Sequence, residues 1–496
     1  MKEKSAEDYG HVLKYTGIFG GVQGLIILIG LVRNKAMAVL LGAGGIGFNA
    51  LLVSVQNFAS QCTNLGISFG AVPKLSELYE QGQRQQLRYY LQVVRLWSLI
   101  AAVLGFTFCL AISPLLNNVT FTWGNHTLHY AMLGVAVAMS AISAGEFVVL
   151  KSARQLGTLA RLQILTAIAS VVLSVPLFYY WGQSGIVPSI ILVSGCSMLA
   201  TVCYSYRRYP LQLRFSKRHL RDGLSMIWLG LSFVLAAAIG SASEMIIRSY
   251  LNVEGSLGDV GLYNTGYMIT ITYAGMVFSA METDYFPRLS AVSKDVAATN
   301  ETVNRQMEVS LLLLSPMLVG LLMMLPVLIP ILFSRDFMAV VEMAQIAVLA
   351  MYFKVMTMPV AYITLARSRS LSYLFLETVY FAVLAISIVV GYQWWGVWGT
   401  GLAIVVAHMA EWAVVWSYAY WQYKYRSTRM VARYVIIQMA IGIMAFCTSL
   451  LAEGWVYWTS EAALTIVSTA YSIQVLRSKT HLWQSLRRRF GSLLNF

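Results

Sequence analysis

Leu40-Leu41-Gly42-Ala43-Gly44-Gly45-Ile46-Gly47 interrupts an otherwise apolar stretch near the N-terminus. The flanks, residues 15–40 and 45–69, are each long enough to cross a bilayer, since about 20 apolar residues in a helix match ~30 Å of hydrocarbon. The spacing predicts two membrane helices joined by a tight turn over Leu41–Gly47. A short polar segment, Val72-Pro73-Lys74-Leu75-Ser76, then follows. No Asp or Glu occurs between Asp8 and Glu77, yet Arg33 and Lys35 sit inside the first flank. Cations in an apolar helix without a nearby counter-ion are costly in lipid and mark positions that need a reason.

The pattern returns 214 residues later. Gly44, Gly47, Pro73, Leu75 and Ser76 match Gly258, Gly261, Pro287, Leu289 and Ser290, and Lys74 becomes Arg288. No gap is needed, which indicates an internal duplication whose second unit begins near residue 220. Six spans separate the two copies. Both therefore start on the same side, so the repeat is parallel, about an axis along the membrane normal.

Charged residues make up only 11% of the 496, against about 25% in a typical soluble chain, and 58% are apolar. The chain reads as an all-α polytopic membrane protein. The charged, polar opening Met1–Gly10 and the length of the first apolar run do not fit a cleavable signal. Cys62, Cys109, Cys196, Cys203 and Cys447 all lie in apolar runs without a Cys-x-x-Cys spacing, so neither a disulfide framework nor a zinc site is implied.

Apolar runs of spanning length recur through to residue 476, giving about fourteen transmembrane helices. With the N-terminus placed inside, 30 of the 35 Lys and Arg fall on inner segments, among them Lys74, Arg84, Arg88 and Arg95 after the second run and Arg207, Arg208 and Arg214 after the sixth. This positive-inside pattern puts both termini in the cytoplasm. It accounts for the net charge of +14 without nucleic acid as a partner. Tyr179-Tyr180-Trp181, Trp394-Trp395 with Trp398, and Trp455 with Tyr457 and Trp458 fall at expected outer ends, as an interfacial aromatic belt should. The expected organisation is a six-helix bundle over 1–210, a second over 211–425, and two further helices with a basic tail over 426–496.

Gly42–Gly47 satisfies G-x-G-x-x-G, but a dinucleotide site needs a preceding strand and an acid about 20 residues on, and the next acid is Glu77. The glycines fit a sharp turn and close helix approach instead. No phosphate-cradling G-x-x-x-x-G-K-[ST] loop occurs, and no cofactor or metal is expected. Arg248 follows Glu244 by four residues, so the two can pair on one face. Arg33 and Lys35 admit two readings: snorkelling to an interface ~10–14 Å away, or an anion site in a cavity. Glu146, Lys354, Glu377, His408 and Glu411 also lie within or at the ends of apolar runs, with Glu282 and Asp284 near an inner end. His408 and Glu411, at i and i+3, suit either ion coupling or a structural hydrogen-bonded pair, and Glu146 is a further coupling candidate.

The turn Leu-Leu-Gly-Ala-Gly-Gly-Ile-Gly, the run ending Leu-Gly-Ile-Ser-Phe-Gly-Ala-Val-Pro-Lys-Leu-Ser-Glu, and the two-fold repeat together resemble the Wzx group of polysaccharide flippases. That group belongs to the multidrug/oligosaccharidyl-lipid/polysaccharide exporter superfamily. Ala43 departs from the pattern, since relatives often carry Pro there. The resemblance implies two parallel-repeat six-helix bundles around a central cavity, with helices 13 and 14 appended. It implies a transporter rather than an enzyme: a flippase that moves a polyprenyl-pyrophosphate-linked oligosaccharide, as for O-antigen, to the outer leaflet of the bacterial inner membrane by alternating access. A drug/cation antiporter of the same fold is the alternative, and a membrane glycan polymerase or ligase fits less well. The implied partners are the lipid-linked oligosaccharide, membrane lipids, a polysaccharide polymerase and glycosyltransferases. Cations of the first and seventh helices carry over to Arg33 and Arg248. Lys35, Lys354, Gln56 and Asn57 complete the candidate substrate contacts.

Overall fold

The computed structural model describes residues 2–121, 124–211, 216–272, 275 and 285–479. Glu282, Asp284, Arg214 and the tail arginines Arg487, Arg488 and Arg489 lie outside them. Regular structure among the described residues is entirely helical. Its helices are α1 (Lys2–Thr63), α2 (Ile67–Glu80), α3 (Arg84–Thr120), α4 (Thr127–Ser152), α5 (Leu156–Trp181), α6 (Ile186–Arg208), α7 (Lys217–Glu254) and α8 (Leu257–Tyr267). Then come α9 (Val296–Leu332), α10 (Val340–Val348), α11 (Ala350–Ala366), α12 (Ser370–Tyr423), α13 (Arg429–Leu451) and α14 (Gly454–Lys479). Nine helical stretches among the described residues are long and apolar enough to cross a membrane, and three of these, at 43, 52 and 54 residues, have the length of two crossings. The polytopic fold expected from the apolar runs is the fold observed.

Two local readings need correction. The break in α1 is confined to Gly42 (φ 66°, ψ −167°), and residues 43–47 are already helical. One glycine suffices because that backbone region is closed to residues with a Cβ. The segment Val72–Ser76 is not a polar link but lies inside α2, which begins after Gly66 in left-handed conformation and tolerates Pro73. Its apolar face, Ile67, Ala71, Leu75 and Leu78, is buried, while Lys74 and Glu77 pair at the surface.

The chain forms two compact units. One comprises Met1–Asn264 with Ile331–Phe337, the other Thr265–Pro330 with Met338–Phe496. In the first, Val94 and Ala101 of α3 pack with Val148 and Val149 of α4 against Ile67 and Leu75 of α2. In the second, Met307, Phe353, Met356, Ile363 and Val415 form the main cluster around Tyr285.

The duplication extends well beyond the matched sequence. Arg154 (φ 53°) ends α4 as Ser368 (φ 55°) ends α11, 214 residues on. The bonds Ala153 N→Val149 O, Arg154 N→Lys151 O and Gln155 N→Leu150 O recur as Arg367 N→Ile363 O, Ser368 N→Leu365 O and Arg369 N→Thr364 O. Gly182 (φ 58°) and Gly396 (φ 60°) break the α5–α6 and α12 hairpins at equivalent positions. The repeat also folds back on itself. A Cβ on Gly47 would stand 1.8 Å from the Leu257 carbonyl oxygen, and one on Gly261 would stand 2.0 Å from that of Ala43. Both pairs are equivalents under the 214-residue offset, so this contact lies on a local two-fold axis. A second close approach joins α7 to the α2 end: a Cβ on Gly230 would lie 2.5 Å from the Gly66 carbonyl oxygen.

Candidate functional site

Charged side chains inside apolar helices are the starting point, because each must find a partner or a path to water. Arg33, on the first limb of α1, turns toward α5. Its Nε donates to Ser174 Oγ at 3.4 Å, and its guanidinium lies 5.8 Å from the centre of the Phe178 ring. Both partners are neutral, and no carboxylate pairs with Arg33 among the described residues. Lys35, two residues on and therefore about 200° around the helix, donates to the Phe333 carbonyl.

Arg248 is buried near the end of α7. It pairs with Glu244 at 2.9 Å, as their spacing predicts, and donates from a second nitrogen to Asn264 Oδ1 at 3.2 Å. Its Nε has no acceptor among the described residues. Asn264 escaped the sequence reading because it belongs to the next helix, and only the α7–α8 turn brings it within reach. No hydrogen bond or ion pair joins Arg33 to Arg248 among the described residues. Gln56 is half-buried and Asn57 exposed on the second limb of α1, and among the described residues neither side chain has a hydrogen-bond partner.

The second unit adds Lys354 to the His408 and Glu411 pair that the sequence spacing suggests. Lys354 of α11 pairs with Glu411 of α12 at 3.7 Å. Its ammonium also lies 5.5 Å from the centre of the Tyr380 ring. The fully buried His408 stacks edge-on against the same ring at 5.1 Å, with Nδ1 3.5 Å from the hydroxyl. Among the described residues His408 Nε2 and Glu411 Oε2 have no hydrogen-bond partner. Tyr380 was absent from the sequence candidates. It stands on the first limb of α12 and His408 on the second, beyond the break at Trp395–Gly396, so only the packing of the hairpin brings them together. This lysine, carboxylate, imidazole and phenol can exchange a proton or hold a fixed network.

Glu146 of α4 has a partner that sequence reasoning missed. Arg95 meets it with two bonds, 2.8 Å and 3.2 Å, and Ser205 donates to the same carboxylate. Arg95 also donates to the Tyr209 and Pro210 carbonyls and lies 4.5 Å from the Tyr206 ring centre. Arg95 was assigned to an inner link, but α3 begins at Arg84 and carries it into the protein, where it is 6% exposed. Among the described residues no group of three His, Cys, Asp or Glu is placed to hold a metal ion.

Comparison with protein-family models finds one described as polysaccharide biosynthesis protein, which matches residues 36–342. No curated protein sequence matches. Among solved structures, the inward closed conformation of the lipid II flippase MurJ is similar over 93% of this chain and 99% of its own, with TM-score 0.68 and 13% identity. An inward-facing multidrug resistance MATE family transporter of the MOP superfamily is similar over 86% of this chain and 96% of its own, with TM-score 0.65 and 12% identity. A MOP superfamily transporter from Pyrococcus furiosus, described as having a binding pocket of reverse polarity, is similar over 88% and 96%, with TM-score 0.55 and 12% identity. At these identities the likeness is one of fold.

Proposed function

The chain belongs to the polysaccharide biosynthesis protein family, and from that membership we propose that it flips a polyprenyl-pyrophosphate-linked oligosaccharide across the bacterial inner membrane by alternating access. Both termini face the cytoplasm. Moving a diphosphate and many hydroxyls through hydrocarbon is prohibitive without a polar path, and a few fixed cations suffice to anchor the diphosphate. Arg33 carries the proposal: a guanidinium in an apolar helix whose contacts, Ser174 and Phe178, are both neutral. Its donors suit phosphate oxygens, which arginine engages in bidentate fashion. Arg248, restrained by Glu244 and Asn264 but with Nε unsatisfied, is the second anchor. Lys35 and Lys354 add positive potential, and Gln56 and Asn57 offer donors and acceptors to sugar hydroxyls.

An antiporter for cationic drugs requires acids along the substrate path, and α1 has none from residue 9 to its end at Thr63. The cluster of Glu411, His408 and Lys354 supports ion coupling of the flippase, whereas Glu146 is engaged by Arg95. The test is complementation of a flippase-deficient strain, with protein level measured for each variant. Arg33→Ala and Arg248→Ala each cripple glycan export at normal protein level, and Lys at either position rescues in part. Near-normal export by the Arg33→Gln, Arg248→Gln double variant overturns the shared diphosphate site.

A further inference from the structure

The first unit has a second concentration of positive charge, far along the sequence from Arg33. Where α2, α3 and α6 meet, a cavity of about 450 Å³ opens between Tyr79, Arg84, Arg88, Arg95, Arg208 and Tyr209. Among the described residues no Asp or Glu lines it. Arg95 is neutralised by Glu146 and spends its other donors on the Tyr209 and Pro210 carbonyls, so it fixes the exit of α6 against α3. Arg84 and Arg88 are different. They stand one turn apart on one face of α3, and Arg208 reaches the same space from the last turn of α6. All three are exposed, and none has a carboxylate partner among the described residues.

A second cavity of about 520 Å³ shares the wall of Tyr79, Arg208 and Tyr209 and adds Arg154 and Arg161. Arg154 is paired with Glu80, whereas among the described residues Arg161 has no carboxylate partner. Four uncompensated guanidinium groups, Arg84, Arg88, Arg161 and Arg208, thus converge on two adjoining hollows. The field of such a cluster favours an anion, and guanidinium forks favour phosphate oxygens. Leu78, Leu87 and Leu91 give the first cavity an apolar side as well. A purely soluble anion has no use for that side, but the glycerol and first methylenes of a lipid do. The positive-inside pattern assigns this face to the cytoplasm, where anionic headgroups concentrate and basic pockets between membrane helices hold them.

We propose that the cavity formed by Arg84, Arg88 and Arg208 binds the phosphate-bearing headgroup of an anionic membrane lipid. It shares no residue with the Arg33 and Arg248 site and does not depend on the transported substrate. The competing explanation is that these arginines only set topology, in which case they hold lipid no better than other inner cations.

The test uses the purified full-length chain in neutral detergent, titrated with phosphatidylglycerol or phosphatidylcholine and read by native mass spectrometry. Wild type retains phosphatidylglycerol in preference to phosphatidylcholine. Arg84→Gln, Arg88→Gln and Arg208→Gln together weaken that binding roughly a hundredfold, since each basic side chain at an anionic surface contributes about a fivefold factor. The exposed control triple Lys424→Gln, Arg426→Gln, Arg429→Gln leaves it unchanged. Arg88→Gln alone, a mild change on an exposed turn, weakens it about fivefold and guards against a misfolded triple variant. Equal binding by wild type and the pocket triple, or an equal loss in the control triple, overturns the proposal. Displacement of the lipid by inorganic diphosphate at matched phosphate concentration also overturns it, by making the site one for a soluble anion.

Discussion

Replacing Gly47 or Gly261 with alanine tests the self-contact of the duplicated turns. The added methyl carbon of Gly47→Ala would sit 1.8 Å from the Leu257 carbonyl oxygen, and that of Gly261→Ala 2.0 Å from the Ala43 oxygen. A carbon and a carbonyl oxygen rest at about 3.3–3.6 Å, so either variant must part the two segments by roughly 1.5 Å. Neither obstacle is a side chain that can rotate away. Overpacking of this kind costs about 1–3 kcal/mol. The two changes strain one interface related by a local two-fold axis, so they cost nearly the same. Once one has parted the segments, the second meets less resistance, and the double variant costs less than the sum of the singles by about 0.5–3 kcal/mol. Denaturant unfolding of the purified protein in detergent measures all three. Simple additivity, or a single variant within 0.5 kcal/mol of wild type, refutes the geometry.

Glu146→Ala strands the buried Arg95 guanidinium and destabilises by about 3–5 kcal/mol, while a double replacement of Arg95 and Glu146 by apolar residues recovers most of that loss, both read by the same unfolding assay. Transport by the surviving double variant keeps its dependence on an ion gradient, which separates Glu146 from coupling. Glu411→Gln removes the carboxylate beside Lys354. In liposomes with an imposed proton gradient it leaves unforced flipping in place and abolishes the response to the gradient, and a full response in that variant would exclude Glu411 as the coupling acid.

Much of this architecture was legible because membrane helices declare themselves by length and polarity. The fourteen apolar runs and the duplicated glycine and proline positions need no tertiary information. Helix boundaries were less legible at the ends, where amphipathic turns replace uniform apolarity: α2 continues through Pro73, and α3 already includes Arg84, Arg88 and Arg95, which their charge had placed in a link. Buried pairs were the hardest to see. Arg248 and Glu244 share a helix and were read from spacing alone. Arg95 and Glu146, or Tyr380 and His408, come from different helices or hairpin limbs, so only packing selects the partner. The equivalence of Gly182 and Gly396 is, by contrast, written in the sequence, since Trp181-Gly182-x-x-Gly185 returns as Trp395-Gly396-x-x-Gly399 at the same 214-residue offset.

The central claim is that this chain carries a diphosphate-linked glycan lipid past the Arg33 guanidinium without nucleotide chemistry. Its most direct test is flipping in liposomes containing only the purified protein and a fluorescent polyprenyl-pyrophosphate oligosaccharide, with leaflet exposure read by a membrane-impermeant quencher. Wild type is expected to expose the probe in the absence of nucleotide. Arg33→Ala should slow the rate by about 10–150-fold, the equivalent of one charged hydrogen-bonded contact of ~1.5–3 kcal/mol. Exposure that requires ATP, or an unchanged rate in the Arg33→Ala, Arg248→Ala double variant, would contradict the account.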